Sequence, residues 1–275
     1  MRARFVWARP CAGAGLLLLF ISCCQSVAAH DTWVETNTAL VRAGDRVEVD
    51  LKLGNHGNNH RDFKLAGKQP LEGLALEVVL PSGKRFDLKP DLADLGYAPK
   101  EGYWSVGVTT SDPGHYTVVA SSDRVVNHGA PQRSIRSAKT IWLASKSLDK
   151  PAASSKSYQQ PLGLPCELVL LSDPVLFTGP GRAIEVQLLK QGKPVADEVV
   201  SFIPRGTDLS AEFDPNYERR TDNQGKASFT PKEGNVYLIV THILAQNEKG
   251  ADYDDTKYAA TLTIRVPQIC PCCDE

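Results

Sequence analysis

Ser111-Asp112-Pro113-Gly114-His115-Tyr116-Thr117-Val118-Val119 decides the fold class. Asp-Pro-Gly is a turn, and the aromatic and β-branched run behind it reads as an edge or closing strand. The same unit recurs in both directions from this point. Short runs rich in Val, Ile, Leu, Thr and Tyr return about every ten residues between Gly, Pro, Asn and Asp, the spacing of an antiparallel sandwich, and nowhere is there a sustained helical period. Expected strands in the first half are 32–36, 46–53, 74–80, 84–88, 103–109, 114–121 and 139–144. The second half offers 166–171, 183–190, 198–204, 226–230, 235–242 and 258–266, with turns at Gln191-Gly192 and Asn223-Gln224-Gly225. Single helical turns are expected only at 91–95 and 211–217. Between the two sets, residues 146–162 are polar, Ser-rich and bracketed by prolines, which reads as a linker. The expectation is an all-β chain of two immunoglobulin-like or prealbumin-like sandwiches, at 30–145 and 163–267.

Residues 1–29 have the three parts of a secretory signal: Arg2, Arg4 and Arg9, then an apolar run at 12–21, then the small residues Val27, Ala28 and Ala29. The apolar run is too short to span a bilayer. Cleavage after Ala29 makes His30 the first residue and directs the protein to the periplasm or the outer surface. The competing reading is a lipoprotein box, Phe20-Ile21-Ser22-Cys23, which would keep a lipidated Cys23. With 31 basic and 32 acidic residues, there is no net charge to recruit nucleic acid or an anionic membrane. Of the seven cysteines, Cys11, Cys23 and Cys24 leave with the signal; Cys166 lies in an apolar strand, and Cys270, Cys272 and Cys273 form a tail at 268–275. No disulfide framework follows from this spacing, and the tail reads as a frayed end.

The residues with the clearest chemistry are histidines. A chain-terminal His30 offers its α-amino group, with a pKa of about 8, together with an imidazole nitrogen, a two-point grip on nickel, cobalt, copper or zinc. Gly54-Asn55-His56-Gly57-Asn58-Asn59-His60 follows the strand at 46–53 and carries two of the six histidines in a backbone loose enough to let both rings converge. His242 ends a strand shortly before the acidic loop at 248–255 and completes the candidate ligand set of His30, His56, His60 and His242. His115 and His128 read as ordinary hydrogen-bonded groups, the latter in a loop at 124–136. Asp252, Asp254 and Asp255 lack the glycine and glutamate of a calcium hand and read as a solvated loop. There is no Gly-x-Ser-x-Gly elbow, phosphate-binding glycine loop or His-Glu-x-x-His helix, so the chain is not expected to be an enzyme.

Three motifs together carry a resemblance: His30-Asp31-x-Trp33, the strand entry Val41-Arg42-Ala43-Gly44-Asp45-Arg46-Val47, and the glycine-histidine stretch at 54–60. In these the chain resembles the large bacterial family of periplasmic components of nickel or cobalt uptake. Gly192-Lys193-Pro194-Val195, Val199 and Thr221-Asp222-x-x-Gly225-Lys226-x-x-Phe229 are similar to prealbumin-like domains, and Tyr258 to Thr263 to the family's closing strand. The resemblance implies a periplasmic protein that holds a metal ion and hands it to an inner-membrane transporter, with His30 the first ligand, His56 and His60 next and His242 last. The Cys-Pro-Cys-Cys ending departs from that pattern. Two other classes stay open. A copper-dependent oxidase would use His30 as a histidine brace, with Tyr97, Tyr103 and Trp104 as a flat substrate face. A structural or adhesion-type surface module would need no metal at all.

Overall fold

The computed structural model describes residues 30–57, 60–127, 129–153, 156–210 and 213–268, and of residues 55–57, 60–64 and 66 the backbone only. Residues 1–29, read as a signal segment, the cysteine tail from residue 269 and His128 lie outside the described residues, as do the side chains of His56 and His60.

The first half contributes β1 (His30–Thr36), β2 (Leu40–Arg42), β3 (Arg46–Gly57), β4 (His60–Gly67), β5 (Leu74–Val79), β6 (Arg85–Asp87), β7 (Ala93–Asp94), β8 (Trp104–Thr109), β9 (Gly114–Asn127) and β10 (Pro131–Ser145). The second half adds β11 (Cys166–Leu170), β12 (Ile184–Lys190), β13 (Lys193–Pro194), β14 (Val199–Pro204), β15 (Glu218–Arg220), β16 (Lys226–Phe229), β17 (Asn235–Ala245) and β18 (Asp255–Val266). The all-β class expected from the sequence is what the chain forms. Local patterning explains the elements one by one. In β3, Val47, Val49 and Leu51 are fully buried while Glu48, Asp50 and Lys52 are only half-buried, the alternation of a strand with one face on a core. The turn before β9 is latched by its own strand: the Tyr116 hydroxyl donates to the Asp112 carbonyl at 2.9 Å and accepts from the N–H groups of Ser111 and Asp112. The Tyr116 ring stacks on Trp142 at 5.2 Å.

The two sets of strands meet in one sheet. Nine strands run β15-β14-β17-β18-β10-β9-β5-β6, with β2 also on β10. The halves join where β10 pairs in parallel with β18, from Gln132 opposite Asp255 to Thr140 opposite Thr263. A five-stranded sheet (β1-β3-β8-β7, with β4 on β3) and a four-stranded one (β11-β12-β13, with β16 on β12) cover it.

These outer sheets lie on opposite faces of the shared one. In β10, Ala138, Trp142 and Ala144 join the first core with Val34, Val49 and Leu51, whereas Ile135 and Ile141 join the second with Leu168, Val186 and Phe229. Alternate residues of a strand point to opposite faces, so the two sandwiches share β10 as a common wall. The segment read as a linker is packed as well: a short 3-10 turn at Ser157–Gln159 buries Tyr158, whose ring meets His115 edge-on at 4.9 Å.

Three expectations shift. The loop at 124–136 lies in the paired strands β9 and β10, and in the glycine-histidine stretch residues 54–57 end β3 and His60 opens β4, with register shifts after Leu53 and Asn55. In both, polar and glycine-rich sequence pairs because its partner strand is the next one along the chain. The helical turn expected at 91–95 forms instead at Lys89–Asp91, with Pro90 in its first turn, where a missing N–H is tolerated. Of 211–217, residues 211 and 212 lie outside the described set, and 215–217 form a turn.

On the second sandwich's side of β10, Lys139 Nζ lies 3.0 Å from Glu167 Oε2, both nearly inaccessible, and Glu167 also accepts the N–H groups of Leu162 and Gly163. Removing one member of a buried, hydrogen-bonded pair strands the other charge. Glu167→Ala is therefore expected to cost about 3–5 kcal/mol of unfolding free energy, measured by urea titration; a cost below about 1 kcal/mol, in the range of exposed pairs, would mean the site is wet.

Candidate functional site

His30 is the exposed first residue of β1, and its Cα partner on β3 is Asn55. His56 is the next residue of that strand, and across the hairpin Gly57 pairs with His60. The backbone thus brings His30, His56 and His60 to one end of the five-stranded sheet. His242 arrives there from the other half of the chain. Its Nε2 lies 2.8 Å from Oδ1 of Asp31, a carboxylate that is 1% exposed and directly follows His30. Among the described residues, no three His, Cys, Asp or Glu side chains are grouped closely enough to hold an ion.

The rest of β1 fixes this end in place. Thr32 donates its hydroxyl to Gln69 Oε1 at 2.6 Å, and its carbonyl accepts from the Thr261 hydroxyl of β18 at 2.8 Å. Trp33 is buried with Ile203, Leu209, Val236, Leu238 and Val240, and donates Nε1–H to Glu35 Oε2 at 3.1 Å. Glu35 pairs with Lys52 of β3 and with Arg205 of the second half. One short strand therefore carries contacts to both sandwiches, through Asp31, Thr32, Trp33 and Glu35.

Three cations crowd the same end, and the sequence alone does not reveal them. On one face of the nine-stranded sheet, His242, Ala259, Arg136 and Ser122 form one cross-strand row, and Leu244, Lys257, Ser134 and Arg124 the next. Burial lowers the pKa of both Arg136 and Lys257, opposed in each by the charge of Asp31; the neighbouring Arg124 depresses Arg136 further, and Arg136 does the same to Lys257. Arg124 and Arg136 stand in the stretch read as a loop, so their common face follows only from the strand register.

The remaining candidates are accounted for within the protein. His115 is buried, with Nε2 3.4 Å from Asp173 Oδ2. Asp255 accepts from Gln132 Nε2 at 2.7 Å, while Asp252 and Asp254 are exposed. Cys166 is buried, and that burial pushes its thiol up to about 12. Of the aromatic face considered for an oxidase, Tyr97 is 78% exposed, but Trp104 packs against the first core and donates to the Gln69 carbonyl at 2.7 Å.

Burial alone would raise the Glu35 carboxyl; Lys52 and Arg205, with hydrogen bonds from Lys52 and Trp33, outweigh it and hold the group below its ordinary value. A carboxyl lowered in the folded state adds stability above its unfolded pKa of about 4 and loses it as pH falls through the folded value. Glu35→Gln is expected to be less stable at neutral pH and to lose less stability on acidification than the parent. Urea midpoints at pH 7 and pH 3 test this, and parallel losses in the two proteins would remove Glu35 as a source of the acid sensitivity.

No curated protein matches the chain. Among solved structures it is similar to a DUF4785 family protein from Legionella pneumophila, at 12% identity over 76% of this chain and 50% of that one, with a TM-score of 0.26. It is similar also to the adhesin InvE of Yersinia pseudotuberculosis, at 14% identity over 86% of this chain and 58% of the other, TM-score 0.23. Fibronectin(III)-like modules of Clostridium thermocellum CbhA match at 13% identity over 86% of this chain and 94% of theirs, TM-score 0.22. The chain spans about half the length of the first of these structures, and at such TM-scores the likenesses carry no argument. A family model matches residues 27–245, most of the sandwich region and all four candidate histidines, and on that match the chain belongs to the family described as a domain of unknown function, DUF4198.

Proposed function

We propose that this is an exported metal-binding protein which, after cleavage behind Ala29, holds a first-row divalent ion through the α-amino group and imidazole of His30. His56, His60 and His242 supply further ligands. Nickel or cobalt is the cargo implied by the resemblance, and an inner-membrane metal transporter the partner; copper or zinc would suit the same donors. The observation that supports this reading is the convergence at one sheet end of four histidine positions that are scattered through the sequence.

Asp31 has a defined part in it. A metal-bound imidazole is usually oriented by a carboxylate on its other ring nitrogen. Asp31, 2.8 Å from Nε2 of His242, is the carboxylate that would orient this ring toward an ion. The α-amino group needs no such help. It belongs to the same residue as the His30 ring, and its modest pKa lets a metal displace the proton near neutral pH.

Protein whose chain starts at His30 is to be titrated with nickel, cobalt and copper, beside His30→Ala, Asp31→Asn and a form with one extra residue ahead of His30. Binding tighter than about 10 μM is expected for the parent, about 10–100-fold weaker binding for Asp31→Asn, and a larger loss for the two forms without the terminal histidine grip. A parent that binds none of these ions, or an extended form that binds as well as the parent, would overturn the proposal and favour a structural module.

A further inference from the structure

Arg124, Arg136 and Lys257 stand on three adjacent strands and point to one face of the nine-stranded sheet. Lys257 and Arg124 are diagonal neighbours of Arg136, a separation of about 7–8 Å between backbones that long side chains bridge easily. The positions between them are Ala259, Ser134 and Ser122, small residues that are buried beneath the longer cationic side chains. Each cation is half-buried.

Such a cluster ordinarily comes with direct ion pairs to carboxylates. Among the described residues, none of the three cations has an ion pair. Arg136 Nε donates only to the Ser134 hydroxyl at 3.2 Å, and Arg124 Nε is buried with no hydrogen-bond partner. The nearby acid is Asp31, whose Oδ1 is engaged by His242. By contrast Arg133, on the opposite face of β10, is held by both oxygens of Asp123 at 2.8 and 2.6 Å. Among the described residues, three half-buried positive charges share one buried carboxylate, Asp31, which leaves a local excess of positive charge and donors. Guanidinium groups suit carboxylate and phosphate oxygens because their planar N–H forks match two oxygens at once.

We propose that Arg124, Arg136 and Lys257 form a binding site for a small polyvalent oxyanion, a polycarboxylate or a phosphate. The two arginines supply forked donors and Lys257 a point charge, and the oxyanion is held by the exposed parts of these three half-buried side chains. The site does not rest on the metal reading. It bears on it, because an anion there offsets positive charge that would otherwise oppose a divalent ion at the neighbouring His30.

Metal-free protein is to be titrated calorimetrically at low ionic strength with citrate, with inorganic phosphate and with acetate as a monovalent control. Saturable one-to-one binding of citrate or phosphate is expected, at least tenfold weaker in Arg136→Gln and in Lys257→Gln and unchanged in Arg133→Gln. Citrate binding alone assigns a polycarboxylate ligand, and phosphate binding alone a phosphate. Absence of saturation by either up to about 10 mM in the parent protein, an affinity weaker than about 3 kcal/mol, would overturn the proposal whatever the variants do. So would binding that Arg136→Gln and Lys257→Gln leave intact. Since no metal is present, neither outcome touches the reading of His30.

Discussion

The parallel pairing of β10 with β18 is the contact on which the rest of the molecule depends. Parallel neighbours cannot be joined by a tight turn, so this pairing exists only because a whole second sandwich is folded between the two strands. It converts two sandwiches into three stacked sheets around a common wall, and it makes β10 answer to both cores at once. Its outward residues on one side are alanine and tryptophan against the first core. On the other they are isoleucine, a serine donating to the Cys166 carbonyl, and a lysine paired with Glu167. A buried ion pair contributes little net stability next to a well-packed apolar alternative, but it accepts only one partner geometry. Its place at the seam between the halves is where a fixed geometry is worth most.

β1 depends on that seam. It belongs by hydrogen bonding to the first sandwich, yet its side chains reach β17 and Arg205 in the second and its Thr32 carbonyl accepts from β18. Were the halves free to move, Trp33 would lose one wall of its pocket and Asp31 its contact with His242. Because they share a sheet, the exposed His30 at the head of β1 sits in a fixed relation to residues more than two hundred positions away. On the proposal that cleavage behind Ala29 makes His30 the chain end, this is how such an end, ordinarily the least ordered part of a domain, would be held in place.

The sequence discloses what local physics dictates. The alternation of β3, the latch of the Ser111–Gly114 turn and the burial of Cys166 follow from residue types and spacing, and the all-β class with them. The extended β9–β10 hairpin is hidden because Gly129, Pro131 and a run of polar residues look like a loop unless a partner strand is known. Pairings such as Gln132 with Asp255, 123 residues apart, leave no local mark. The site divides in the same way. His30, His56 and His60 are conspicuous by type and place, whereas the role of Asp31 emerges only from a contact with His242 across 211 residues. The cluster of Arg124, Arg136 and Lys257 is invisible until the register of three strands is fixed.

The central claim is that a terminal histidine, set beside other histidines by this shared-sheet architecture, is a metal ligand. The X-ray absorption spectrum of nickel-loaded protein whose chain begins at His30 tests it most directly. The account predicts a first shell of nitrogen and oxygen donors with the outer-shell scattering of two or more imidazoles, reduced by one imidazole in His30→Ala. A shell dominated by sulfur, which would place the ion on the cysteine tail, or one unchanged by His30→Ala, would contradict it.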